Sequence, residues 1–126
     1  MKLSEHFQLD EFRCPCGCKL EQKPEIVAAL KDLVVVLEDI RAEIGVPLVV
    51  HSGVRCPSWN RKCKGVPRSQ HLLGKAADLV PKDKPVSELA DLLRAKGVDL
   101  GVRGLGLYSR FVHTDIRSGR RATWRG

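Results

Sequence analysis

Aromatic side chains are scarce: three Phe, two Trp and one Tyr in 126 residues. That leaves little material for the stacking platforms that hold single-stranded nucleic acid. No apolar run can span a bilayer, since stretches such as Leu33–Leu37 reach only five residues and a membrane helix needs roughly twenty. The opening Met1-Lys2-Leu3-Ser4-Glu5-His6 is polar and mixed in charge, so no secretory signal is legible. There is no internal repeat and no low-complexity tract. No C-x2-C pair occurs either, which argues against a basic nucleic-acid binder built on a zinc knuckle.

What is present fits one domain, residues 1–126, with one hydrophobic core: 43% of residues are apolar and 29% charged. The formal charge is +7 and the sequence pI near 9.4. Such a balance suits a soluble surface or attraction to a polyanion: nucleic acid, an anionic membrane surface or an acidic wall polymer. The basic residues are dispersed apart from Arg110, Arg117, Arg120, Arg121 and Arg125.

Five cysteines are unevenly placed. Three sit in Cys14-Pro15-Cys16-Gly17-Cys18, and Cys56 and Cys63 flank a polar loop. With no export signal, reduced thiols are the first expectation. Three readings stay open: a tight turn with small buried cysteines, a disulfide to the Cys56/Cys63 loop, or a structural metal on Cys14, Cys16 and Cys18.

Periodicity gives the elements. Ser4–Phe12 is expected as a short amphipathic turn or helix, docked by Phe7 and Phe12 and capped by Ser4, within an N-terminal docking segment of residues 1–23. Pro24 opens a long helix on which Ile26, Leu30, Leu33, Val34, Leu37 and Ile40 recur at three and four, with Gly45 as its stop. Pro47–Val50 reads as a buried strand, Cys56–Gln70 as a long polar loop and Ala76–Val80 as a second strand. A second helix runs from Pro85 to Lys96, ended by Gly97. Gly101, Gly104 and Gly106 punctuate a turn-rich entry to Leu105–Tyr108. Arg110–Arg117 alternates as a strand, and Arg121–Trp124 is expected to return as a hairpin. The fold class is α+β: a small antiparallel or mixed sheet with two main helices.

The chemistry concentrates late in the chain. His71 and Asp78 are seven residues apart around Gly74, close enough to converge on one cation, and His113 on the alternating strand can supply a third ligand. Two imidazoles and one carboxylate leave a fourth tetrahedral position open, as in a catalytic zinc site. The plain alternative has His71 as a loop residue and Asp78 as a strand-end cap. Asp115 shares a strand face with His113, so it is positioned to be a general base or to hold the imidazole's tautomer, unless it only pairs with Arg117. Arg55, at the mouth of the long loop, is the residue type for bidentate capture of a carboxylate.

Ser52-Gly53-Val54-Arg55-Cys56-Pro57 with Asn60, Ser69-Gln70-His71-Leu72-Leu73-Gly74-Lys75-Ala76-Ala77-Asp78, and Phe111-Val112-His113-Thr114-Asp115 together resemble the zinc D-Ala-D-Ala carboxypeptidase family, which includes phage endolysins that cut peptidoglycan stem peptides. Leu3-Ser4-Glu5-His6-Phe7 and the cysteine turn resemble its small phage and prophage members. The resemblance implies that family's hedgehog-like fold, with zinc on His71, Asp78 and His113. It implies a contact from Arg55 to the substrate carboxylate or carbonyl, a Ser69 that either hydrogen-bonds substrate or braces the loop, and peptidoglycan stem or cross-link peptides as the partner. Relatives place a Glu or His two to six residues before the last zinc histidine, whereas here Leu107 to Val112 contain neither. Asp115 is therefore the expected base and His51 the outsider. The main rival is a non-catalytic wall- or carboxylate-binding module of the same fold. A monomer is expected, made in the cytoplasm and acting on the wall after release or holin-type export, or as a phage or prophage product.

Overall fold

A computed structural model describes residues 1–126. Five strands form one mixed sheet: β1 (Leu48–Ser52), β2 (Ala76–Pro81), β3 (Gly104–Leu107), β4 (Val112–Asp115) and β5 (Ala122–Arg125), in the order β1-β2-β4-β3-β5. All pairings are antiparallel except β3 with β5. Three α-helices accompany it: α1 (Pro24–Ile44), α2 (Pro57–Lys62) and α3 (Val86–Leu100).

The long helix follows from its sequence. Pro24 sits at the first turn, Glu25 complements the helix N-terminus, and Gly45 ends it at φ +79°. Its stripe Ile26, Leu30, Leu33, Val34, Leu37, Ile40 and Ile44 is buried throughout. These side chains join Leu89 and Leu93 of α3 and the sheet residues Leu48, Ala77, Leu79, Leu105, Leu107 and Val112 in one core. Strand alternation then decides the rest: if Ala77, Leu79, Val112 and Leu105 face the core, Asp78, His113 and Gly106 must face the other way.

Several elements depart from the sequence reading. Residues 9–12 form a 3-10 turn rather than a helix from Ser4. Ser4 does not cap it; its hydroxyl donates to Glu38 of α1 at 2.6 Å. Phe7 and Phe12 dock as expected, both fully buried. The polar loop contains α2, begun by Pro57 and capped by Cys56; at six residues it carries no apolar stripe for periodicity to find. The second main helix runs through Gly97 to Leu100, and Gly101 at φ +99° supplies the left-handed stop instead. Val49 of β1 is exposed rather than core. The last strand is not a hairpin partner of β4. That strand is already paired on both sides, to β2 and β3, so β5 takes the free edge of β3, in parallel.

Candidate metal centre

The sheet register builds the site. Ser52 pairs with Asp78, Asp78 with His113, His113 with Gly106, and Gly106 with Trp124, in one row across all five strands. His71 reaches the row from a 3-10 turn, residues 70–73, closed by Gly74 at φ +73°. Ser69 caps that turn, its hydroxyl accepting from the His71 N–H at 3.2 Å.

The three expected ligands converge. His71 Nε2 lies 3.2 Å and His113 Nδ1 3.0 Å from Asp78 Oδ1, and all three residues are buried. Each imidazole is fixed from behind. His71 Nδ1 lies 2.7 Å from the Gly53 carbonyl, which can only accept, so this nitrogen carries the proton. His113 Nε2 donates likewise to Asp115 Oδ2 at 2.8 Å. Both rings therefore turn an unprotonated nitrogen toward Asp78. Three acceptors at such range demand a positive occupant, either an added proton or a metal ion. Two imidazoles and a carboxylate, each imidazole braced by a second hydrogen bond, are the donor set and support that zinc takes. Burial alone would raise the Asp78 carboxyl, but hydrogen bonds and charge from His113 and His71 outweigh it and hold it well below the usual carboxylate range. Burial lowers His113, yet Asp115 and Asp78 bring it out above an ordinary histidine.

Asp115 sits behind this cluster. Its Oδ2 accepts from His113 and, at 2.7 Å, from Arg117 Nη2. Its Oδ1 accepts from the Arg117 backbone N–H at 3.0 Å and from Arg117 Nε at 2.9 Å. Its side chain is 0% exposed, and it is not on the wall of the cavity over the site. A general base there does not fit this geometry. The carboxylate is turned away from the open side and its lone pairs are taken, so it orients His113. The Asp115–Arg117 pair does form, but as a buried support rather than a surface bridge.

That cavity holds about 520 Å³. Arg55, Lys64, Arg68 and Arg117 line it, and Asp78 is its single acidic residue. Arg55 bridges wall and floor: Nη2 donates to Asp78 Oδ2 at 3.2 Å, Nε to Ser52 Oγ at 3.1 Å and Nη1 to Asn60 Oδ1 at 3.4 Å. Ser69 lies on the same wall. His51 does not, because a bulge between Val50 and Ser52 turns it outward to stack on Phe111 at 5.3 Å.

Sequence reading passed over three contributors. Trp124 and Tyr108 line the cavity, joined by a 2.8 Å hydrogen bond from Trp124 Nε1 to the Tyr108 hydroxyl. Trp124 lies flat against Gly106, where a Cβ would come within 2.7 Å of the indole. Gln70 is also on the wall, and its Oε1 is buried without a hydrogen-bond partner. Only its place beside His71 in the sequence could have singled it out.

A family model described as Peptidase M15 matches residues 5–115. No curated protein matches the chain.

Proposed function

The chain belongs to the peptidase M15 family, the zinc D-Ala-D-Ala carboxypeptidases, and from that premise we propose that it hydrolyses an amide bond in peptidoglycan stem or cross-link peptides. Membership of that family supports a zinc metallopeptidase acting on peptidoglycan in the general sense. The finer reading is a D,D-carboxypeptidase or endopeptidase of the endolysin type, a phage or prophage product reaching the wall after release. The observation that carries it is the convergence of His71 Nε2, Asp78 Oδ1 and His113 Nδ1 beneath a cavity with four cationic side chains.

In this reading His71, Asp78 and His113 hold the zinc. When bound, the metal supplies Lewis-acid polarisation of the scissile carbonyl and a water more readily deprotonated than bulk water. Arg55 orients Asp78 through its Nη2 hydrogen bond, and its remaining N–H groups face the substrate's carboxylate or carbonyl oxygen. Arg68 and Lys64, exposed at the rim, draw in the anionic peptide. The Tyr108 hydroxyl accepts from Trp124 and keeps its own proton for a substrate oxygen. Ser69 braces the His71 turn.

One observation favours a second reading, a non-catalytic carboxylate-binding module: no acid but Asp78 lines the cavity, so no separate general base stands over the floor. Digestion of purified peptidoglycan with mass identification of the fragments separates the two. A peptidase releases a defined amide-cleavage product that a chelator abolishes, zinc restores and His71→Ala lacks. Binding to the wall without any new fragment, on walls of several cross-link types, overturns the peptidase reading.

A further inference from the structure

A second group of metal-ligating side chains lies apart from this centre. The sulfurs of Cys14, Cys16, Cys18 and Cys56 all lie within 4.8 Å of one another. Cys16 Sγ is 3.4 Å from Cys14 Sγ and 3.5 Å from Cys56 Sγ. Zinc–thiolate bonds of about 2.3 Å place the sulfurs of a tetrahedral site about 3.8 Å apart. A disulfide would draw one pair to about 2.05 Å and leave the others out, whereas here one sulfur neighbours several. We propose that Cys14, Cys16, Cys18 and Cys56 form a structural zinc site of four thiolates, independent of the peptidase reading.

The chain is shaped for it. Gly17, at φ +82°, lets residues 14–18 curl back, with the Gly17 N–H on the Cys14 carbonyl at 3.1 Å. The buried Glu21 carboxylate anchors the turn, accepting from the Cys14 N–H at 3.1 Å. Cys56 arrives from the other side as the cap of α2. Hydrogen bonds are aimed at the sulfurs: Cys56 N–H to Cys14 Sγ at 3.4 Å and Trp59 N–H to Cys56 Sγ at 3.5 Å, with the Ser58 hydroxyl 3.3 Å from Cys56 Sγ. Four thiolates on one divalent zinc carry a net double negative charge, which such donors offset. Binding releases the protons of those thiols to solvent. Four protein ligands leave no open position, the mark of a structural site.

Its consequence is mechanical. The site ties the N-terminal segment to the loop that presents Arg55, the residue before Cys56. The same contact is closed nearby by the Val54 N–H on the Phe12 carbonyl at 2.9 Å, and by Gly53, where a Cβ would come within 2.6 Å of the Phe12 backbone. Cys63, on the cavity wall, takes no part.

The test is elemental analysis of the full chain, purified in mild reductant without chelator. Wild type should hold about two zinc ions per chain, and both His71→Ala/His113→Ala and Cys16→Ser/Cys18→Ser about one, since one site is removed in each. Cobalt(II) loaded into the His double variant should give a sulfur-to-cobalt charge-transfer band in the near ultraviolet. That measurement needs no cysteine substitution, so it decides the matter even if the Cys variant fails to fold. Absence of the band overturns the site. So does zinc content unchanged in a folded Cys variant, or an intact mass about 2 Da low from a disulfide within the four. A protein that keeps its thiolate zinc but loses nothing in the His double variant sinks the peptidase centre and leaves this site standing.

Discussion

Asp115 and Gly104 form a pair that only tertiary structure reveals. They are opposite each other in the β3–β4 register, and a Cβ on Gly104 would come within 2.1 Å of an Asp115 carboxylate oxygen. The sequence pattern reads Gly104 and Gly106 as turn punctuation; both are strand residues whose missing side chains make room for Asp115 and Trp124. Asp115→Asn keeps an acceptor for His113 but loses the charge, so zinc affinity should fall about 10- to 100-fold, read by competition with a chromogenic chelator. Unchanged affinity would reduce Asp115 to a partner for Arg117. Gly104→Ala should displace the carboxylate, cost about 1–3 kcal/mol in urea unfolding, and weaken zinc as well. Spacing and strand parity, which are local properties of the chain, made His71, Asp78 and His113 a candidate set, and the resemblance of their motifs to the family's singled them out. Cys56 as a partner of the cysteine turn was not legible, since nothing local distinguishes it from Cys63; only the docking of residues 1–23 against the Arg55 loop selects it.

Among elements, α1 does more than fill the core. Its Glu38 holds the N-terminal arm, accepting from the Ser4 hydroxyl at 2.6 Å, from the His6 backbone N–H at 2.7 Å, and pairing with His6 Nδ1 at 2.7 Å. Burial tends to raise the Glu38 carboxyl, but the Ser4 and His6 hydrogen bonds outweigh it and bring it below the usual 4.5. A carboxyl depressed on folding stabilises fully above its unfolded value and loses that contribution as pH falls through the folded value. Wild type should therefore lose arm-docking stability below about pH 4.5, whereas Glu38→Gln, weaker at neutral pH by about 1 kcal/mol, should have a flatter acid limb. Urea midpoints collected between neutral pH and pH 3 check this, and parallel curves would contradict it. The two long helices were legible from their apolar period. The short α2 and the parallel placement of β5 were not: one lacks a stripe, and the other is decided by which sheet edge remains free.

At the scale of the molecule, the sheet separates two functions. One face meets α1 and α3 in the core, and the other carries the row Asp78, His113 and Trp124 under the cavity. The excess of positive charge is partly concentrated there, with four cations against one carboxylate on the wall. If that field selects the substrate, charge on the peptide must matter more than peptide length. A stem peptide with a free terminal carboxylate should be cut with a higher kcat/KM than its amidated twin, by about tenfold, the equivalent of one charge-assisted contact near 1.4 kcal/mol. Rising salt should shrink the ratio, because Lys64 and Arg68 are exposed and screened. Lys64→Ala/Arg68→Ala should narrow it further, mainly through KM, since rim charges act on capture rather than on the reacting bond. Arg55→Ala should lower kcat as well, because the same guanidinium also holds Asp78. A ratio indifferent to both salt and the rim substitutions would mean that the cationic wall serves solubility, and that recognition rests on the Trp124–Tyr108 side of the cavity.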